Sequence, residues 1–392
     1  MIIKEYIRRL LYIIKKKPYC YKTHNGSLLE TISRDCDNDF FYGYYDHVPE
    51  KEGRTLFHEM NNDSVSIILR DMRTGREKLL GVSKAFNWQM GARTLWINSD
   101  IISYNDFDGE KYVCRFYSLK ENNIIRTYIK PLQDYSNQGY YLGVNYQRLR
   151  SYAKEYGYYC LPKLSDKDFD DYGSDGIWKI DTNDGSVKLL LTIRQIMNCE
   201  KEERFAKGKH FVNHIMISPE GFSFIFIHRY YIGKKRYDRL MYYDLKKNVL
   251  KCLMNDKMQS HYCWMDNQHV FGYGGHQGRN GFHSINVITG LVERCEELTQ
   301  IHPKDGHPTM KGNWIVIDSY PNLGRMQELV AYNVKTKKII KLLEVFHDLK
   351  HKGFSRCDLH PRISDDCKRI YFDTIYQGKR ELCLLDVSKV LL

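Results

Sequence analysis

Histidines lead successive segments of the second half of this chain, at His214, His261, His307 and His360, at spacings of 47, 46 and 53 residues. Behind each stands the same layout. A Pro, Gly or Asp turn precedes a β-branched or aromatic run, and a further strand closes on a turn led by Asp or Asn, such as Asp244, Asn286, Asn333 or Asp386. Weaker copies lead from Asp46, Trp88 and Gly139, which makes seven units in all. A period of about 40 to 50 residues built from short strands is the signature of β-propeller blades. The sequence therefore predicts an all-β fold, a seven-bladed β-propeller of four-stranded antiparallel blades over residues 23–392. Blades set equivalent positions around one axis, so the four histidines are expected at one end of a common channel.

The other whole-chain properties agree. At 392 residues the chain is long for one domain, but repeat architectures grow as single units. Its 31 tyrosines and only 9 prolines suit twisted strands. The 11 cysteines lack Cys-x-x-Cys spacing and no secretory signal is visible, which reads as reduced thiols in the cytoplasm. Residues 1–22 read separately, as a short amphipathic helix stopped by Pro18. Ile3, Ile7, Leu10, Leu11 and Ile14 form its apolar stripe, and seven basic residues face one acidic residue. Such a helix is expected on an anionic membrane surface, here the inner face of the cell membrane; packing on the propeller wall is the plainer alternative. The net charge of +12 calls for an anionic partner. No nucleic-acid recognition motif is present, so an acidic glycan is the expected one.

Candidate site residues cluster at the leading positions. His214 and His228 flank the Pro219-Glu220-Gly221 turn and are predicted to approach across the ladder, with Arg229 and Tyr230 beside them. Asp358 and His360 are two apart, so an extended strand sets both on one face. With His261 and His307 they suit a divalent ion such as manganese, zinc, iron or calcium. Trp88, Arg93, Asn213, Trp264, Arg356 and Arg362 are the expected substrate-binding residues. One histidine at a blade start more often braces the neighbouring blade than binds a ligand. Four of them among arginines favour a site for a carboxylate.

The segments around His214, Ser260-His261, Gly306-His307-Pro308 and Asp358-Leu359-His360-Pro361 resemble the blade motifs of oligogalacturonate lyases. Tyr44-Tyr45-Asp46, Asn87-Trp88-Gln89 and Val212-Asn213-His214 complete a set that resembles uncharacterised propellers of bacterial capsule and O-antigen clusters. The lyase resemblance implies metal-assisted β-elimination on an acidic sugar. His214 or His228 would be the base and Tyr230 a proton donor, with Arg229, Arg362 or the metal neutralising the substrate carboxylate. The chain departs from the lyases in the last blade. Asp358 replaces one histidine ligand and Ser355 stands where a glutamine is expected, while His261 and His307 compete for the remaining ligand position. Two other function classes stay open: a glycosyltransferase of polysaccharide assembly, and a propeller that only binds a glycan or a partner. Asp106-Phe107-Asp108 has transferase-like spacing but reads as a turn, and Gly274–Gly278 as a loop without the Lys-Ser/Thr of a phosphate cradle. The insertion over 149–176 reads as a solvated loop, or alternatively as an aromatic lid.

Overall fold

Each of the seven repeats is an antiparallel meander in the computed structural model, which describes residues 21–391 together with Ile3, Tyr6, Ile7, Leu10 and Ile14. The helix expected over residues 1–22 falls largely outside the described residues. The fold is the all-β seven-bladed propeller, its blades spanning residues 40–83, 95–128, 134–192, 209–254, 256–294, 308–346 and 362–386. The chain divides into two compact units. Residues 80–295 carry blades two to five; residues 1–79 with 296–392 carry blades one, six and seven. Among the described residues no helix is long and apolar enough to cross a membrane.

The Asp- and Asn-led turns explain why the outer hairpins close where they do. The Asp71 carboxylate accepts the backbone N–H groups of Arg73 and Thr74 at 3.0 and 2.7 Å. Asp244, Asn286 and Asn333 repeat this at 2.9 to 3.0 Å. Each side chain satisfies two amides that the turn removes from the ladder. The same device closes the Asp106–Asp108 segment: Asp108 accepts from Glu110 and Lys111, and Asp106 pairs with Arg115 at 2.7 Å. Gly274 and Gly275 are strand residues rather than loop, and a Cβ on Gly274 would strike the Gln259 side chain.

Apolar strand positions pack blade against blade. Trp314, Val316, Leu329 and Ala331 of blade six meet Ile363, Ile370, Phe372 and Leu385 of blade seven. Met216, Ile225 and Tyr242 of blade four likewise meet Tyr262, Val270 and Ile285 of blade five. The last blade is completed by the start of the chain. Leu28–Thr31 pairs with Glu381–Asp386 as its outer strand, and Tyr21–Thr23 adds a fifth strand to blade six against Ile339–Phe346.

The insertion within blade three is solvated along its acidic run, as expected, but anchored to the blades by buried side chains. Asn145 caps the helix Tyr146–Tyr152, and Tyr146 stacks on Tyr158 at 3.9 Å between ring centres. Tyr158 is fully buried, and its hydroxyl accepts from Asn105 of blade two at 2.8 Å. Arg148, also buried, ties the segment together through Asp175 at 2.6 Å and the carbonyl of Phe169. Tyr146, Arg148 and Tyr158 thus anchor the segment, while the acidic run at 166–171 stays exposed apart from Phe169.

Deleting residues 1–31 removes the outer strand of blade seven and leaves an open edge. The truncated protein is expected to melt at least about 5 °C lower and to aggregate in light scattering. An unchanged midpoint would show that the closure carries no stability.

Candidate functional site

In the unit holding blades six and seven, the buried carboxylate of Asp318 organises two histidines. It terminates the strand Trp314–Asp318 and accepts the backbone N–H of His307 at 2.7 Å and that of His360 at 3.0 Å. His307 Nδ1 lies 2.9 and 3.0 Å from its two oxygens. An ionised carboxylate only accepts, so Nδ1 carries the hydrogen, and in the neutral ring Nε2 keeps its lone pair. Burial alone would lift the Asp318 pKa, but His307 and the backbone donors hold it below the usual carboxylate range. Burial opposes a charged His307 as well, and there Asp318 outweighs it and raises the pKa.

The rings of His307 and His360 meet edge to face at 4.2 Å. Ligand atoms of His307, Asp358 and His360 all lie within 4.8 Å of one another. All three residues are buried, and Arg356 donates to Asp358 at 2.6 Å. Tyr44 packs on His360 at 5.5 Å and Tyr45 on His307 at 5.3 Å. Two imidazoles and a carboxylate, one imidazole held by a second carboxylate, are a donor set that fits a divalent ion. Ser355, at the place of the lyase glutamine, is exposed, and its hydroxyl donates to the Lys352 carbonyl. Arg362 is fully buried. Its guanidinium donates to the carbonyls of Tyr44, Gly43 and His360 and faces Asp373 at 3.7 Å. That arginine fastens the Tyr44 segment to His360, which corrects its expected role in binding a substrate carboxylate.

The four-blade unit carries a second group. His214 contacts His261 at 5.3 Å and the insertion's Tyr156 at 4.7 Å, ring centre to ring centre. Arg229 is buried against Asp238 at 2.5 Å. Asn213 is buried, and among the described residues neither atom of its carboxamide has a hydrogen-bond partner. Leaving such a group unpaired costs roughly 1–3 kcal/mol, so the amide is suited to a ligand or water.

The structure thus joins the four leading histidines as two pairs, one in each unit. They do not occupy one position. In blade four, His214 and Ile215 bulge opposite Phe226; in blade seven, His360 and Pro361 bulge opposite Phe372. Arg93 opens the same bulge in blade two, and these three leading residues have φ of 51, 52 and 47° for Arg93, His214 and His360. His261 and His307 take the second place of the corresponding step, one residue later.

The bulge also corrects the expected approach of His214 to His228. The register sets His228 opposite Val212. Its Nε2 meets His210 Nδ1 at 2.9 Å, its Nδ1 lies 3.3 Å from Arg239, and His210 Nε2 reaches the Phe205 carbonyl at 2.8 Å. The arginine must donate, which fixes both tautomers: His228 donates to His210, and His210 to Phe205. Tyr230 stacks on His210 at 4.9 Å and on Tyr237 at 5.1 Å. Both residues thus brace the segment over blade four. Trp264 donates its indole N–H to Met216 at 3.0 Å, joining blades four and five. Trp88 and Arg93 are buried, and Arg93 donates to the Gln133 carbonyl. Asp318, Tyr45 and Tyr156 were not among the predicted site residues; an acid ending a wholly apolar strand was the available signal for Asp318.

No family model matches the chain, and no curated protein matches it. Among solved structures the chain is similar to an oligogalacturonate lyase in complex with manganese. The TM-score is 0.64 at 15% identity, over 93% of this chain and 96% of that one. An oligogalacturonate lyase from Vibrio parahaemolyticus gives 0.63 at 13% identity, over 94% and 96%. The tricorn protease gives 0.51 at 10%, covering 92% of this chain and 34% of that one. At these identities the likeness establishes the fold: a seven-bladed propeller, here carrying a buried His-Asp-His group.

Removing the Asp318 carboxylate, as in Asp318→Ala, leaves buried donors unpaired and is expected to lower the unfolding free energy by about 3–5 kcal/mol in denaturant titration. Acid should weaken the fold by a separate route. Burial pushes His58, His210 and His347 down to about 4. Unfolded imidazoles titrate near pH 6.5, so between about 6.5 and 4 the unfolded chain binds protons that the folded one refuses. Stability is therefore full above about pH 6.5 and falls toward pH 4, by up to about 3 kcal/mol per histidine. Thermal midpoints measured across that range check the slope.

Proposed function

We propose that this propeller cleaves an acidic, uronate-containing polysaccharide or oligosaccharide by β-elimination. The observation that carries the reading is the buried group of His307, Asp358 and His360, with His307 held in one tautomer by Asp318. These three residues would hold the divalent ion, and a carboxylate in place of an imidazole favours a harder one such as manganese. A bound divalent ion supplies neutralisation of the substrate carboxylate, which acidifies the proton on the adjacent carbon. A base then removes that proton, the electron pair forms the new C=C bond, and the C–O bond to the 4-linked sugar breaks. The departing oxygen takes a proton. The base and the donor must be groups within hydrogen-bond reach of the sugar that this ion holds. The fold of the manganese-bound lyase supports the reading. We assign the substrate to the capsule or O-antigen polysaccharides, with the basic segment at residues 1–22 directing the protein to the anionic inner face of the membrane.

Elemental analysis of purified protein is expected to find one divalent ion per chain, lost in His360→Ala. Incubation with uronate polymers should generate the ultraviolet absorbance of an unsaturated uronate. Absence of both metal and unsaturated product would overturn the reading and favour glycan binding alone.

A further inference from the structure

Blades two and three and the insertion surround a cavity of about 350 Å³ lined by Lys111, Lys130, Trp178, Leu161 and Leu164, among others. That volume is in the range that holds a small ligand. The acidic residues in the wall are already engaged. One Asp175 oxygen accepts from Gly176 N–H at 2.8 Å; the other accepts from Arg148 at 2.6 Å and Asn145 at 2.9 Å. Asp168 accepts the Ser165 hydroxyl at 2.7 Å. The two lysines are differently placed. Lys130 is half-buried with its ammonium 3.9 Å from the centre of the Trp178 ring, and Lys111 stands exposed at the mouth. Among the described residues neither ammonium makes an ion pair. Burial lowers the Lys130 pKa, and neighbouring Lys111 lowers it further against the opposing pull of Asp175. Two cations share one mouth over an apolar floor; Asp175 is paired with Arg148, and the exposed Asp168 carboxylate is held by Ser165.

We infer that this cavity is a binding site for a small organic anion, whose carboxylate or phosphate lies between Lys111 and Lys130 and whose body rests on Leu161 and Leu164. Bringing such a group between the ammoniums relieves their mutual repulsion in a partly dehydrated place, where charge-assisted hydrogen bonds are strong. The site is built from residues 111–178 alone and does not depend on the His307 group or on the proposed lyase activity.

Isothermal titration of the full chain carrying His360→Ala, which breaks the His307 group, in phosphate-free buffer tests this with galacturonate, inorganic phosphate and neutral galactose. At least one anion is expected to bind at a single site, and galactose to give no heat. Binding of galacturonate alone would identify a carboxylate site, and of phosphate alone a phosphate site. Adding Lys111→Gln with Lys130→Gln should weaken the anion at least about tenfold. Anion binding that survives this double change undiminished would overturn the site. So would the absence of binding by either anion. A second readout needs no variant: acetic anhydride labelling of Lys130, followed by mass spectrometry, should slow when the bound anion is present. Equal labelling with and without it would also overturn the inference.

Discussion

Three donors from two blades converge on the carboxylate of Asp318, and the geometry around His307 and His360 depends on that convergence. A lone buried carboxylate costs several kcal/mol, so it persists only where donors surround it. Here the donors belong to the two histidine segments of the candidate site. One bond fixes where the backbone of His307 leaves the sheet, another fixes its tautomer, and the third holds His360 in a left-handed conformation of φ 47°. A non-glycine residue in that conformation costs about 1–3 kcal/mol, and the bond to Asp318 helps offset it. Arg362 works alongside, linking His360 to the tyrosine segment through backbone carbonyls while Asp373 faces its charge.

The bulge at His360 is a device the fold repeats. Arg93 and His214 open the same two-against-one step, with nearly the same φ. Bulges re-aim side chains at sheet ends, and the first and second residues of such a step are presented differently. In blades five and six the histidine sits one residue later. The ring contacts then fall between unlike positions: His214 with His261, and His360 with His307. A first-place and a second-place histidine meet in each pair. Strict equivalence of the four would not produce that pairing.

This step also marks how far the sequence could be read. Asp71, Asp244, Asn286 and Asn333 announce their turns because an Asx side chain acts on amides two and three residues ahead, a purely local matter. The leading histidines were legible for the same reason, as was the kinship of Asp358 and His360. Spacing gives the rung of a residue, however, not its face once a bulge has shifted the parity. His228 and Tyr230 were therefore read toward His214, while the ladder commits them to His210 and Arg239. Arg362 looked like an anion receptor because nothing local tells that three carbonyls and Asp373 will surround it. The exposed charges of the insertion are visible in sequence, whereas its anchoring is not, because the stacking of Tyr158 on Tyr146 joins residues on either side of a turn.

Charge balance ties the proposed metal to an acidic substrate more closely than fold likeness does. Among the groups bonded directly within the cluster, Asp318 and Asp358 bring two negative charges and Arg356 one positive charge. With neutral imidazoles the sum is −1, and a divalent ion would turn it to +1 among buried ligands, with Arg356 at their solvent edge. A buried uncompensated charge is unfavourable in either state. An incoming carboxylate returns the sum to zero, so metal and acidic ligand each improve the affinity of the other, as linkage requires. Replacing one histidine of the lyase pattern by Asp358 would remove that margin if Arg356 did not stand against it at 2.6 Å. In the proposed reading Asp358 and Arg356 would act as one feature, together keeping the donor set at the charge that a cation and an anionic sugar would complete.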